Sequence, residues 1–216
     1  MKTLLIAGAT GLVGSHALRQ ALSHPQVQRV VAPTRRPLPT HPRLFNPVVD
    51  FDHLPEDADW WAVNGVVCAL GTTMKLAGSK AAFHRVDHDL PVRVGHLALR
   101  HGAQAFAFNS ALGADVSSRV FYSRTKGETE RDLLALGFPS LTLVRPGLIG
   151  GERVESRPAE QLGIRVASGL GRLLPRRYRV VPAEAIARAL LQGALSPTPG
   201  VRLVMPEEME TGPVPA

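Results

Sequence analysis

Tyr122 and Lys126 are the residues whose types and spacing best suit chemistry, and they stand four positions apart in the stretch YSRTK. Residues at i and i+4 of a helix lie on the same face, so both side chains can reach one site. Addition of hydride to a carbonyl needs a proton donor. A free phenol has a pKa of about 10, and a neighbouring ammonium favours the phenolate. The pair therefore predicts an acid/base site, against the alternative of an ordinary pair on a helix surface.

Ser110 stands twelve residues before Tyr122, directly after the apolar run AFAFN. A hydroxyl at the end of a strand can polarise a carbonyl oxygen held between it and the helix that follows. We therefore predict a catalytic set of Ser110, Tyr122 and Lys126.

A glycine-rich turn, GATGLVG, occupies residues 8–14 between a predicted strand and a predicted helix. Gly8 allows a tight turn, Gly11 lets the backbone approach a pyrophosphate, and Gly14 lets the helix pack close to the sheet. Free N–H groups and the helix dipole then favour phosphate. The position of the turn, after the first strand, predicts a dinucleotide site, against the alternative of a turn without a ligand.

The second predicted strand ends in TRRP, so Arg35 and Arg36 stand where an NAD site usually has an acidic residue for the ribose 2′-hydroxyl. Guanidinium groups suit a 2′-phosphate instead. The sequence therefore predicts NADP(H) as the preferred cofactor, with NAD(H) as the alternative. Two surface arginines in an arginine-rich chain are the other interpretation.

The candidate site residues lie in a chain whose strand and helix patterns alternate, and these elements must position them. Short apolar runs predict strands, and segments with helical spacing of apolar residues predict helices. Strands are expected at KTLLIAG, RVVAPTR, PVVDF, NGVVCALG, AQAFAFNS, LTLVRPG, YRVV and VRLVM. Helices are expected at GLVGSHALRQALSHP, at SKAAFHRVDHDLPVRVGHLALRHG with a kink or break at Pro91, at SSRVFYSRTKGETERDLLALG, at PAEQLGIRVASGLGRLL and at PAEAIARALLQGAL.

This alternation predicts a single α/β domain over residues 1–216, with a doubly wound, Rossmann-like parallel sheet and helices on both faces. A small substrate-side segment is expected at about residues 151–180. A flexible tail is expected at residues 206–216.

Composition narrows the class of protein. The chain is 44% hydrophobic and 20% charged, as soluble globular proteins are. A single cysteine, Cys68, excludes an internal disulfide and fits a reducing compartment, and we expect it in the core. No segment reaches the roughly 18 apolar residues that a membrane span needs. The basic residues behind the net charge of +7 are not interleaved with aromatics, so nucleic acid is not expected as a partner. We expect a cytoplasmic protein without membrane binding.

Several motifs resemble the short-chain dehydrogenase/reductase superfamily in order and placement, over nearly the whole chain: GATGLVG, NS, YSRTK and RPG. Longer stretches are similar to an atypical branch that contains the Tat-interacting-protein-like oxidoreductases: CALGTTMKLAGS, HRVDHDL, YSRTKGETE, LVRPGLIGG and ESRPAE. The resemblance implies the same catalytic set of Ser, Tyr and Lys. It also implies a dinucleotide lying along the strand ends, against Gly8, Thr10, Gly11, Leu12, Val13, Arg35, Arg36, Leu70, Gly71, Thr72, Tyr122, Lys126, Pro146, Gly147, Leu148 and Ile149.

The chain departs from the superfamily at two places. ALGTT replaces the usual Asn-Ala-Gly after the fourth strand, and Asp87 stands where many members carry an asparagine. The similar branch is also associated with regulatory NADPH binding. Three functions follow: an NADP(H)-dependent oxidoreductase acting on a carbonyl or alcohol, an NADPH-binding regulator with little or no turnover, and an epimerase or dehydratase. The last usually needs a larger substrate-binding region.

Metal binding is the remaining chemistry that the sequence raises. His84 and His88 share a helix face, with Asp87 beside them, but no further ligand pattern stands out elsewhere in the chain. We therefore predict no metal site. The expected partner is a small-molecule substrate, and the chain is expected to be a monomer or a homodimer.

Overall fold

The computed structural model describes residues 1–150 and 180–209. Seven parallel strands form one sheet in the order β3-β2-β1-β4-β5-β6-β9, and β7 and β8 form a separate parallel pair. The strands are β1 Lys2–Ala7, β2 Val27–Val31, β3 Leu44–Phe45, β4 Gly65–Cys68, β5 Ala105–Asn109, β6 Ser140–Val144, β7 Leu148–Gly150, β8 Val180–Pro182 and β9 Gly200–Val204. This architecture confirms the predicted doubly wound α/β fold.

Helices cover both faces of the sheet. They are α1 Leu12–Ser23, α2 Met74–Ala77, α3 Lys80–His84, α4 Leu90–Arg100, α5 Phe121–Ala135, α6 Ala183–Leu195 and α7 Pro206–Met209, with a short 3₁₀ helix at Asp59–Trp61 and a π-helical turn at Arg85–Asp89. Strand order reverses direction between β1 and β4, which places the opening for a ligand at the carboxyl ends of these two strands.

Alternate residues of β1 supply the two halves of the core. Leu4 and Ile6 pack with α1 and α6, whereas Leu5 and Ala7 pack on the other face with residues of α4 and α5. Successive side chains of a strand point to opposite faces, so a strand covered on both sides must be apolar throughout. Cys68, at the end of β4, is fully buried, and burial raises the pKa of its thiol to about 12. The expectation that Cys68 belongs to the core is confirmed.

A kink or break was expected at Pro91, and the chain continues through it without a break, directly after a π-helical turn. Residues 80–100 run as α3, the π-helical turn and α4, with Pro91 in the first turn of α4. Proline has no N–H to donate to the carbonyl four residues earlier, which belongs to Asp87. The Thr129 hydroxyl of α5 donates to that carbonyl at 2.9 Å. A change of helical register and a side chain from a neighbouring helix therefore accommodate the proline.

Two other predicted elements differ from the structure. The third strand lies at Leu44–Phe45 rather than in PVVDF, where only Val48 forms an isolated bridge, with Thr34. The tail predicted from residue 206 begins with helix α7, which buries Met209, so that prediction is wrong for residues 206–209. Met209 packs on the core and so keeps residues 206–209 in place after the last strand.

Three predictions lie outside the described residues: the helix at PAEQLGIRVASGLGRLL, the substrate-side segment and the end of the tail. The substrate-side segment falls on residues 151–179, apart from its last residue in β8, and the end of the tail falls on residues 210–216. Among residues 1–150 and 180–209, no helix combines the length and apolar character needed to cross a bilayer.

Candidate active site

The glycine turn after β1 is dictated by steric contacts. Gly8 has φ +88°, and a Cβ there would stand 2.6 Å from the carbonyl oxygen of Ala69 beyond β4. A Cβ on Gly14 would stand 2.0 Å from the carbonyl oxygen of Gly8. The Gly11 N–H donates to the Gly8 carbonyl at 2.9 Å, and α1 begins at Leu12. The turn thus brings the backbone and a helix N-terminus to the opening between β1 and β4, a cradle that suits phosphate.

Substituting Gly14 with alanine should distort this turn. The added Cβ would overlap backbone, which cannot rotate away as a side chain can, so we expect a loss of about 1–3 kcal/mol or more in the free energy of unfolding. Urea unfolding followed by circular dichroism measures it. Gly71→Ala is the matched control, because its Cβ would meet only the Asp87 carboxylate at 3.4 Å, an ordinary contact. Equal stability of the two variants would contradict the steric argument.

The end of β2 is ordered by hydrogen bonds that leave two arginines exposed. The Thr34 hydroxyl donates to the Arg36 carbonyl at 2.6 Å, and the Asn46 amide donates to the Thr34 hydroxyl at 2.7 Å. Arg35 and Arg36 are exposed, and neither forms an ion pair with an acidic residue of the described part of the chain. Both residues follow the end of β2, which is the strand next to β1 in the sheet.

Lys126 and Asp87 form a buried ion pair at the carboxyl ends of β4 and β5. The Lys126 ammonium lies 2.9 Å from one Asp87 carboxylate oxygen, and the backbone N–H of Thr72 donates to the other at 2.8 Å. Lys126 is 3% exposed and Asp87 1%. The Asn109 carbonyl accepts from the same ammonium at 3.4 Å. Asp87 therefore sets the position of Lys126, a role that the sequence did not reveal.

Burial by itself would lower the pKa of Lys126. This is the largest single effect, but the attraction to Asp87 and to Tyr122 and the hydrogen bond to Asp87 together outweigh it, and the pKa is raised above its usual value of 10.5. Lys126 is therefore an ammonium at neutral pH, and it interacts electrostatically with the phenol one helical turn away. Tyr122 itself is 42% exposed, with its ring edge against Phe83 at 6.0 Å between centroids. The structure thus places the two residues one helical turn apart on α5, with Lys126 buried and Tyr122 exposed.

Ser110 has a different environment from the one predicted. Its side chain is buried, and its hydroxyl donates to Glu130 at 2.5 Å. Arg145 donates from two nitrogens to both oxygens of the same carboxylate. The serine proton is therefore engaged by Glu130, although the oxygen can still accept. Sequence reasoning missed Glu130 and Arg145. The available signal was the repeated i+4 spacing, which places Tyr122, Lys126 and Glu130 along one helix.

The remaining predicted cofactor contacts lie at the carboxyl ends of the strands. Leu70, Gly71 and Thr72 follow β4, and Pro146 and Gly147 lie between β6 and β7. The Leu112 N–H donates to the Pro146 carbonyl at 2.8 Å, which joins the segment after β5 to the segment after β6. Leu148 is 51% exposed.

Two buried polar atoms near Lys126 have no hydrogen-bond partner among the described residues. They are the side-chain oxygens of Asn109, at the end of β5, and of Thr125, beside Lys126 on α5. An unpaired buried acceptor or hydroxyl costs roughly 1–3 kcal/mol. The glycine cradle by itself fits the phosphates of a dinucleotide.

Comparison with known proteins gives two kinds of similarity. The chain is 34% identical over 181 residues to the protein fmp52, mitochondrial, of Emericella nidulans, with 80% of this chain and 78% of that protein covered. It is 35% identical over 204 residues to the protein HTATIP2 of Rattus norvegicus, with 92% and 84% covered. No protein-family model matches the chain.

Solved structures share the fold at low sequence identity. MoeE5, in complex with UDP-glucose and NAD, superimposes with a TM-score of 0.70 at 20% identity, over 93% of this chain and 74% of that one. At this identity the similarity extends to the fold alone.

The names of the relatives correct one prediction. A cytoplasmic location was expected, whereas the relative in Emericella nidulans is named mitochondrial, as are others of the same name, so the expectation is wrong. One reduced cysteine and the absence of a long apolar segment do not distinguish the cytosol from the interior of a mitochondrion. By identity over most of both lengths, the chain belongs to the family of the HTATIP2 and fmp52 proteins.

Proposed function

We propose that the protein is an NADP(H)-dependent oxidoreductase that moves hydride between nicotinamide and a carbonyl or alcohol carbon. The observation that carries this proposal is the buried Lys126–Asp87 pair, which holds an ammonium one helical turn from the exposed phenol of Tyr122. The pair lies at the same edge of the sheet as the glycine turn. A proton donor and a phosphate cradle at one strand edge are what such a reaction needs.

Each residue has a distinct task in this reaction. The nicotinamide, when bound, supplies or accepts the hydride. Tyr122 donates the proton to the carbonyl oxygen, or removes it from the alcohol in the reverse direction. The Lys126 ammonium favours the phenolate that remains and is held in place by Asp87 and by the Asn109 carbonyl.

Ser110 has a narrower task than a free serine would have. Because the Ser110 hydroxyl donates its proton to Glu130, its first role is to hold the side chains behind the substrate oxygen in place. The hydroxyl polarises the substrate oxygen only if it rotates away from Glu130. Arg145 neutralises Glu130, so the buried carboxylate does not repel the phenolate.

The preference for NADP(H) rests on Arg35 and Arg36. A titration of protein fluorescence with NADPH and with NADH tests it. We expect tighter NADPH binding in the wild type and a loss of about tenfold or more for NADPH in Arg35→Ala/Arg36→Ala, because hydrogen bonds to a charged phosphate contribute about 1.5–3 kcal/mol. NADH binding should stay within a few-fold.

Arg19→Ala/Arg29→Ala is the control for the loss of two positive charges, since both residues are exposed and precede the end of β2. Equal losses in the two double variants would show a general charge effect and contradict 2′-phosphate recognition. Failure of the wild type to bind either nucleotide would overturn the proposed function.

A second candidate is a dinucleotide-binding regulator with little or no turnover. Two observations favour it: the Ser110 proton is engaged inside the protein, and Asp87 replaces the asparagine of many superfamily members. Such a protein binds NADPH as the enzyme does, so binding alone does not separate the two. Removal of the Tyr122 hydroxyl, discussed below, does.

A further inference from the structure

A cluster of histidines and carboxylates lies next to the candidate active site, on the outer side of the π-helical turn. His84 and His88 stack with ring centroids 4.3 Å apart. The Nδ1 atoms of both rings face the same oxygen of Asp89, at 3.2 Å from His84 and 2.7 Å from His88. One ligand atom from each of the three residues lies within 4.8 Å of the others. Two ligands on one zinc ion are about 3.3 Å apart for bonds of about 2.0 Å, so this spacing suits a single ion.

The other nitrogen of each imidazole faces a carboxylate on α5. His84 Nε2 lies 3.4 Å from Glu128, and His88 Nε2 lies 2.9 Å from Asp132. Histidines that bind metals donate the second ring N–H to a carboxylate or carbonyl, which orients the ring and directs the free nitrogen at the ion. Here His88 has that support as a hydrogen bond to Asp132, and His84 has Glu128 within ion-pair distance on the same side of its ring. The Nδ1 atoms of both histidines lie close to Asp89. This second layer comes from a different helix and is independent of the first.

We propose that His84, His88 and Asp89 form a binding site for one divalent transition-metal ion, with zinc as the best match. Two imidazole nitrogens and one carboxylate oxygen leave a fourth position open to water. The proposal rests on this geometry and is independent of the proposed oxidoreductase activity.

Asp87, which the sequence placed beside these histidines, is not a ligand. Its carboxylate is buried and engaged by Lys126 and by the Thr72 N–H. The ligand that completes the set is instead Asp89, and the carboxylates that face the other nitrogens of the two histidines come from α5, 44 residues later in the chain than the histidine each one faces. The sequence argument against a metal lacked these residues because their proximity arises only from the packing of α5 on the π-helical turn.

The site would join the two segments that carry the buried Lys126–Asp87 ion pair. Asp87 lies between His84 and His88 on one side, and Lys126 lies beside Glu128 on the other. A bound ion would therefore fix the π-helical turn against α5 and stabilise the register of the Lys126–Asp87 contact. Two arginines moderate the negative charge of the second layer: Arg124 lies 3.9 Å from Glu128, and Arg131 lies 2.7 Å from Asp132. Asp89 has no arginine partner among the described residues.

Titration of the full-length, metal-free protein with Co²⁺ tests the site. The visible absorption of cobalt reports low-symmetry coordination by nitrogen, and Zn²⁺ should then displace the cobalt. We expect saturation at one ion per chain and no saturable signal in His84→Ala/His88→Ala. Glu128→Gln and Asp132→Asn should each weaken binding by about 10–100-fold, the usual cost of losing an outer partner.

His53→Ala is the matched control, because His53 also pairs with a carboxylate, Asp50, at 2.8 Å but is 84% exposed and has no second histidine. Its binding curve should equal that of the wild type. Circular dichroism of each variant shows that it is folded. Cobalt binding that survives in the double-histidine variant, or that is unchanged in Glu128→Gln and Asp132→Asn, would overturn the proposal, as would the absence of any signal in the wild type.

Discussion

Replacing Lys126 with methionine is expected to lower the free energy of unfolding by about 3–5 kcal/mol, because it leaves the Asp87 carboxylate buried without its counter-charge. Methionine is flexible and fills a comparable volume, so lost charge rather than an empty cavity dominates the effect. Urea unfolding at neutral pH measures the change. Lys75→Met is the control, because Lys75 is exposed on α2, and it should stay within about 0.5 kcal/mol of the wild type.

A second substitution shows whether the buried charge is the cause. Asp87→Asn in the Lys126→Met background should recover most of the loss, because the amide is neutral and retains an oxygen that can accept from the Thr72 N–H. No recovery would mean that Lys126→Met acts through packing.

The stability of the pair also depends on pH. The pKa of Lys126 is raised in the folded protein, so its contribution is complete below the ordinary value of 10.5 and is lost as the pH rises through the higher, folded pKa. As the pH rises, the stability difference between wild type and Lys126→Met should therefore begin to shrink above about pH 10.5.

Tyr122→Phe is expected to lower kcat/KM for carbonyl reduction by about 10²–10⁴, the usual contribution of a positioned proton donor. The phenol is 42% exposed, so stability and NADPH affinity should change little. Oxidation of NADPH, followed by absorbance against a panel of aldehydes and ketones, measures the rate. Ser123→Ala removes a hydroxyl from the next position of the same helix, and its rate should match that of the wild type.

This variant separates the two candidate functions. An enzyme loses turnover and keeps its cofactor. A wild-type protein that binds NADPH tightly but reduces no member of the panel, with Tyr122→Phe indistinguishable from it, would favour the regulatory function. A fully active Tyr122→Phe would exclude the phenol as the proton donor.

Features set by local chemistry were predictable from the sequence. The turn at residues 8–14 needs glycine at positions where a Cβ would overlap the backbone, and the spacing of these glycines can be recognised in the sequence. The apolar strands and the i+4 spacing of Tyr122 and Lys126 are local in the same way. Each depends on residues within one or two elements, so reading the chain in order was sufficient.

Features set by several segments were not predictable. Ser110, Glu130 and Arg145 come from three separate segments, and no pattern in any one of them indicates that the serine proton is engaged. A kink or break was predicted at Pro91 because the missing proline N–H is evident from the sequence. The Thr129 hydroxyl that donates to the Asp87 carbonyl comes from α5, so the sequence around Pro91 does not reveal it.

The sequence by itself determined the class of fold, the glycine turn and the tyrosine–lysine pair. Tertiary structure decided which neighbouring acid serves which site: Asp87 turns inward to Lys126, and Asp89, two residues later, faces the histidines. The reason is geometric. Side chains two residues apart on a helix point to nearly opposite faces. The packing of α5 against the π-helical turn determines which of these faces contacts the buried lysine.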